Sequence, residues 1–205
     1  DALRQENRRI FCNALGFEEQ ELVRSLQTHE TELLNARQGG LFEGYDAIVT
    51  HRERLLLAVS VADCAPILIF DRRNRVVAAV HAGWRGTVAG IVSETLQYMG
   101  EQYDTRGRDC YAYIGPCIDE CSFEVGEEVA EQFDPAFKQW NTGKGKFYVD
   151  LKKANAAQLR EFEIPEGHIE ISPLSTFSQC EDFFSYRAEN GITGRMLAAI
   201  GILHQ

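Results

Sequence analysis

No apolar run in this sequence approaches the ~20 residues that a membrane-spanning helix requires. The first residues, Asp1 to Arg9, are charged and helical in character, with no apolar signal-peptide core. Basic residues are few: 21 Lys and Arg stand against 31 Asp and Glu, for a formal net charge of −10. That balance excludes duplex nucleic acid as the main partner, because neutralising phosphates takes clustered Lys and Arg. It leaves room for a small anion held by a few local arginines. Histidine is also scarce. The five are His29, His51, His81, His168 and His204, and none are spaced as His-x-His or His-Glu-x-x-His. A zinc-protease helix is therefore excluded, and multicopper electron transfer would need more imidazoles. The Gly-x-Ser-x-Gly elbow, the Walker loop and the Gly-x-Gly-x-x-Gly fingerprint are missing. So are internal repeats, low-complexity tracts and Pro/Ser-rich linkers. The 205 residues read as one domain, 1–205.

Six cysteines in a chain of this length do not make a disulfide scaffold. Several lie among apolar residues, where free Cys behaves as a small hydrophobe. The expectation is free thiols in a reducing cytoplasm. Cys117 and Cys121 form the one close pair, but they have no nearby His to complete a second zinc site.

Periodicity predicts a mixed α and β chain. Leu3, Ile10, Phe11 and Ala14 repeat at helical spacing over 2–14, with Gly16 as the stop. Strands are expected at Leu22–Gln27 and Asp46–Thr50. The nearly continuous apolar runs Leu55–Val61, Ile67–Phe70 and Val76–Val80 read as strands buried on both faces. Polar Asp71–Asn74 turns the last two into a hairpin, which speaks against a purely parallel sheet. Val88, Ile91, Val92, Thr95, Leu96 and Met99 predict one helix over Thr87–Met99, closed by Gly100. Tyr111–Ile114 reads as a strand ended by Gly115-Pro116, and Phe123–Phe133 as a helix despite Gly126. Asp150 caps a helix over Leu151–Phe162, with Pro165 beyond it. Ile169–Ser172 is a strand. The final segment, Met196–Leu203, is strand or helix.

Chemistry concentrates at two strand ends. Ala62-Asp63-Cys64-Ala65-Pro66 places a thiol between two buried strands, and His81-Ala82-Gly83-Trp84-Arg85-Gly86 places an imidazole where a strand meets a helix. With His29 they offer one Cys and two His, a set suited to an open zinc-type site. Each residue also has a plainer reading. Cys64 fits a core thiol, and His29 alone is an ordinary loop residue. Asp63 either orients a metal-bound imidazole or caps a turn. Gly83 and Gly86 let backbone approach a ligand at a helix N-terminus, and Arg85 adds a planar cation for phosphate or carboxylate. Otherwise Arg85 makes a surface ion pair. Phe183-Phe184-Ser185-Tyr186-Arg187 either stacks a flat base and holds an anion or is an apolar anchor.

Taken together, Gln27-Thr28-His29, Ala62-Asp63-Cys64-Ala65-Pro66, the His81–Gly86 segment, Ile114-Gly115-Pro116 with Phe123-Glu124-Val125-Gly126, and Phe183–Arg187 with Thr193-Gly194-Arg195 resemble the YfiH-like family. That family has been labelled laccase-domain or polyphenol oxidase, and its members are described as purine nucleoside phosphorylases with adenosine deaminase activity. The resemblance implies an α+β fold with mixed β-sheets layered between helices. It implies a zinc ion held by His29, Cys64 and His81, with copper as the alternative metal. Catalytic roles are expected for Cys64, Arg85 and Asp63. Substrate binding is expected of Arg85, Gly86, Phe184 and Arg187. The substrates implied are phosphate and adenosine, inosine, guanosine or methylthioadenosine. Relatives similar in fold to Cys–His deamidase toxins keep a second reading in play, with Cys64 as nucleophile and His81 as base. A copper polyphenol oxidase and a non-catalytic nucleoside-binding protein are further alternatives. Members usually begin with an N-terminal strand and an Arg/Gly-rich loop, and the expectation is that this chain starts after them. Ser175 stands where many relatives carry Cys.

Overall fold

The computed structural model describes residues 2–203; Asp1, His204 and Gln205 lie outside the described residues. In chain order the elements are α1 (Ala2–Ala14), β1 (Leu22–Leu26), β2 (Leu33–Asn35), β3 (Gly40–Glu43), β4 (Ala47–Thr50), β5 (Leu56–Val61), β6 (Ala65–Asp71), β7 (Val76–Ala82), α2 (Trp84–Val88), α3 (Ile91–Tyr103), β8 (Cys110–Ile114), β9 (Glu124–Val125), α4 (Glu127–Ala130), β10 (Lys138–Asn141), β11 (Lys146–Val149), α5 (Leu151–Glu161), β12 (Ile169–Ile171) and β13 (Met196–Gly201).

Two sheets carry the architecture. One has six strands in the order β12-β8-β6-β7-β4-β2, and the other four in the order β13-β5-β1-β3. Both are mixed: β6 runs antiparallel to β7 and β8, while β2 is parallel to β4 and β12 to β8. The alternation of a strand explains the layering. On β7, Val76, Ala78 and Val80 pack with Ile91, Val92, Leu96 and Met99 of α3 and with Leu159 of α5. Val77 and Ala79 point the other way, into a second core with Val23, Leu57 and Val59 of the four-stranded sheet. The outer face of that sheet is covered by α1 through Cys12 and Phe11, which pack with Leu22, Leu56 and Ala58. The layers therefore run helix, sheet, sheet, helix, the α+β arrangement expected. A small third sheet, β10-β11-β9, closes one end over Ile118, Phe133 and Leu151.

Several expected elements form as read. Gly16 takes φ +81 behind α1, the β6–β7 hairpin forms, and Asp150 accepts a hydrogen bond from the Lys153 amide. Pairing resolves the ambiguous last segment as a strand, β13, antiparallel to β5 from Met196↔Val61 to Gly201↔Leu56. Three expectations are corrected. The helix over Thr87–Met99 is two helices, broken where Gly90 takes φ +80. Val88 consequently leaves the buried face and is 37% exposed. Gly100 does not close α3; the helix runs on to Tyr103, and Asp104 at φ +53 supplies the left-handed cap. Phe123–Phe133 is not a helix. Glu124 and Val125 pair with β11, and only Glu127–Ala130 turns helically. The short strands β2, β3, β10 and β11 have no counterpart in the sequence reading. Among the described residues no helix is long and apolar enough to cross a membrane.

The break in the helix makes a sharp stability prediction. Leu96 is fully buried in the α3 interface, so Leu96→Ala should lower unfolding free energy by about 2–5 kcal/mol. Val88→Ala should stay within about 0.5 kcal/mol of the parent. Urea denaturation of the two variants would check it, and equal losses would contradict the split helix.

Candidate functional site

His29 and Cys64 sit where the chain crosses from one sheet to the other. The loop after β1 carries His29 to β2, and Ala62-Asp63-Cys64 carries β5 to β6. His81 comes from β7, where it shares the parity of Val77 and Ala79 and so faces the four-stranded sheet. The three donor atoms lie within 4.8 Å of one another. The rings of His29 and His81 meet edge to face, with centroids 4.8 Å apart. Both crossovers are conformationally strained: His29 has φ +65 and Asp63 φ +82, a region non-glycine residues occupy only where their surroundings hold them. Gly83 completes the cradle. A Cβ there would lie 3.1 Å from Cys64 Sγ and 3.3 Å from His29 Cδ2.

Asp46, just before β4, is fully buried and organises this cluster. Its Oδ1 lies 2.7 Å from His81 Nδ1. Its Oδ2 accepts from the Thr28 amide at 2.9 Å, the Thr28 hydroxyl at 3.2 Å and the Glu30 amide at 3.2 Å. The His81 amide in turn donates to the Asp46 carbonyl at 2.8 Å. Against a carboxylate, His81 Nδ1 carries its proton, and Nε2 is directed at Cys64 and His29. Burial pushes the Asp46 carboxyl up, but the hydrogen bond with His81 and those from Thr28 and Glu30 prevail and bring it down to about 2. Burial pushes the His81 imidazole down, but its bonds to Asp46 and Cys64 raise it to about 9. Burial likewise pushes the Cys64 thiol up, yet hydrogen bonding with His29 and His81 lowers it to about 7. A soft thiolate and two imidazoles, with glycine beside them, fit a zinc-type ion, and the same set accepts copper.

The cluster lies in a cleft of about 780 Å³, the size of a small-molecule site. Its walls include Trp84, Phe123, Val125, Val129, Tyr186 and three arginines, Arg85, Arg187 and Arg195. Each guanidinium lies over an aromatic ring: Arg85 on Trp84 at 4.4 Å, Arg187 on Phe123 at 5.7 Å and Arg195 on Tyr186 at 5.8 Å. Backbone carbonyls hold two of them. Arg187 donates to Glu124, and Arg195 to Thr193 and Gly194.

The remaining expected residues divide. Asp63 lines the cleft, but both its oxygens are engaged elsewhere. Thr176 Oγ1 and Ser185 Oγ donate to one at 2.6 and 2.8 Å, and the Arg187 amide donates to the other at 2.7 Å. It anchors the segment that carries Tyr186 and Arg187; of the two roles open to it, holding an imidazole falls to Asp46. Phe184 is 45% exposed, packs on Gly194 and lies outside the cleft wall; Tyr186 takes the wall position instead. Gly86 is buried against Ile91 and the Glu30 carbonyl, also off the wall. Ser175 is buried and bridges to Cys117. His51 packs near Tyr103 and His168 stacks on Tyr111, so two of the four described histidines join the cluster. Asp46 was not singled out from the sequence. The signal available was a carboxylate opening an apolar strand run, which is weak by itself.

The chain matches a family model described as multi-copper polyphenol oxidoreductase laccase over residues 2–203. A protein of Bacteroides thetaiotaomicron named purine nucleoside phosphorylase is 36% identical, across 97% of this chain and 79% of its own length. One of the same name from Deinococcus radiodurans is 39% identical, across 96% and 76%. Among solved structures, YlmD from Geobacillus stearothermophilus superimposes with a TM-score of 0.92 at 31% identity, covering 98% of this chain and 80% of that one. The Bacillus licheniformis hypothetical protein YfiH gives 0.90 at 29% identity, covering 97% and 80%.

The thiol geometry is open to direct measurement. In metal-free protein, alkylation of Cys64 followed by peptide mass spectrometry should rise with a midpoint near pH 7, about two units below an ordinary thiol. Asp46→Asn, which weakens the imidazole partner, should move the midpoint upward. A midpoint near 9 in the parent protein would contradict the thiolate–imidazole contact.

Proposed function

The chain belongs to the multi-copper polyphenol oxidoreductase laccase family, and from that membership we propose that it is a purine nucleoside phosphorylase holding one zinc ion on His29, Cys64 and His81. Relatives carrying that name support the reading. The observation that carries it in this chain is the cleft itself. One three-donor cluster lies among aromatic walls with three arginines, none of which has a carboxylate within ion-pair distance among the described residues. In a chain of net charge −10, uncompensated cations gathered in one cleft favour a multiply charged anion.

In phosphorolysis a phosphate oxygen bonds to the anomeric carbon of the ribose as the bond from that carbon to the purine nitrogen breaks. The electron pair departs with the base, which then takes up a proton. The products are ribose 1-phosphate and the free purine. Arg85 and Arg187 hold the phosphate, with Arg195 beside them, and their backbone and aromatic contacts limit the entropy lost on binding. Phe123 and Tyr186 offer flat faces to the base. Asp63 acts as a positioning residue for Tyr186 and Arg187, and Gly86 lets α2 pack against the His29 loop. When bound, zinc supplies positive charge and an open coordination position at the floor of the cleft. We extend the reading to adenosine deamination, in which water adds at purine C6 and ammonia leaves. Adenosine, inosine, guanosine and methylthioadenosine are the substrates to compare. The six free thiols suit the reducing cytoplasm that goes with this reading.

One observation favours a second reading. Asp46, His81 and Cys64 form a carboxylate–imidazole–thiol relay, the arrangement of a Cys–His hydrolase. Stoichiometric zinc that blocks alkylation of Cys64 separates the phosphorylase reading from this one.

Cys64→Ala should lose bound zinc and inosine phosphorolysis together; a zinc-free variant with undiminished phosphorolysis would overturn the proposal. Arg187→Ala should raise KM for phosphate by about tenfold or more, with a smaller change in the KM for inosine, as steady-state kinetics would read.

A further inference from the structure

Resting on the metal reading above, we propose that Asp46 is a positioning residue that sets two metal ligands at once, through the two oxygens of one carboxylate. The ligands it couples differ in kind. His81 stands on a central strand whose residues are all buried, whereas His29 lies exposed on a crossover loop at φ +65. A loop residue in that conformation needs external restraint. The amides on either side of it, Thr28 and Glu30, are both tied to Asp46 Oδ2. The opposite oxygen holds His81. Two elements far apart in the sequence, the loop at 28–30 and β7, are thereby registered against one fully buried group.

Every side-chain partner of Asp46 is a donor: two backbone amides, one hydroxyl and the imidazole Nδ1–H. A carboxylate satisfies all of them, and a carboxamide does not. In Asp46→Asn, an oxygen turned toward His81 leaves the NH2 group against the two loop amides, and His29 loses its restraint. An NH2 group turned toward His81 forces the imidazole proton onto Nε2, the nitrogen aimed at the cluster, and removes its lone pair. Either orientation mis-sets one histidine ligand. This separates Asp46 from an ordinary buried acid, whose loss would weaken the fold without singling out the site.

The test uses the full chain with three readouts: Zn²⁺ affinity by competition with a chromophoric chelator, the visible spectrum of Co²⁺-loaded protein, and amide hydrogen exchange. Asp46→Asn should bind Zn²⁺ about 10- to 100-fold more weakly and show a changed Co²⁺ ligand-field band. The Thr28 and Glu30 amides should exchange faster while those of α3 keep parental protection. If Asp46→Asn does not fold, Thr28→Val, which removes one of the three Oδ2 bonds, should weaken Zn²⁺ binding by about 2- to 10-fold. Parental affinity with parental exchange at Thr28 and Glu30 would overturn the proposal, as would parental affinity in a folded Thr28→Val or a parent protein that takes up neither metal. Zinc-binding parent protein without phosphorolysis would count against the activity alone and leave the two-ligand role supported by the same affinity difference.

Discussion

A carboxylate buried without water must find donors for both oxygens, and Asp46 finds four, on two segments far from it in the sequence. That requirement governs the site. The chain around Thr28–Glu30 is drawn in toward β4, and the β7 strand end is held in register by the His81 amide on the Asp46 carbonyl. The imidazole of His81 is left with one free nitrogen, directed at Cys64. Each of these contacts alone is modest in free energy. They matter because they share one acceptor group, so the geometry of the two histidines cannot drift independently.

The cluster's position follows from how the two sheets are connected. Strands within one sheet are tied by ladders, but the crossovers at residues 27–32 and 62–64 leave those ladders at the same edge of the sandwich. Gln27 partly extends the order: its side chain both donates to the Ser60 carbonyl and accepts from the Ser60 amide, as a strand neighbour would. The result is a rigid floor with strained backbone at His29 and Asp63, facing a cleft whose outer wall is irregular chain. Asp63 ties that wall to the floor through Thr176, Ser185 and Arg187. One aspartate thus fixes the metal-type donors and another fixes the wall that carries the cations.

Much of this was legible beforehand where local chemistry is decisive. The apolar runs that became β5, β6 and β7, the capped helix after Asp150, and the thiol and imidazole at strand ends all announce themselves through composition and order. The breaks came where local pattern and tertiary context compete. Val88 fits the period of the residues after it, but Gly90 adopts a left-handed conformation and starts a new helix. Glu124–Val125 are captured by pairing with Phe147 and Tyr148, a long-range contact that overrides the helical look of the segment. Phe184 and Tyr186 lie two apart in one aromatic run, and only the course of the chain selects Tyr186 for the cleft.

What the sequence determined by itself was the stock of reactive groups: one thiol and two imidazoles at turn positions, arginines beside aromatics, and too little positive charge or histidine for the competing chemistries. Those follow from residue identity and short-range order. Tertiary structure alone decided which carboxylate serves the site. Asp63 sits beside Cys64 in the chain yet turns to the wall, while Asp46, 35 residues from His81, meets its ring. The reason is physical: a buried carboxylate goes where unpaired donors converge, and convergence of distant donors is a property of packed sheets that no local window of sequence contains.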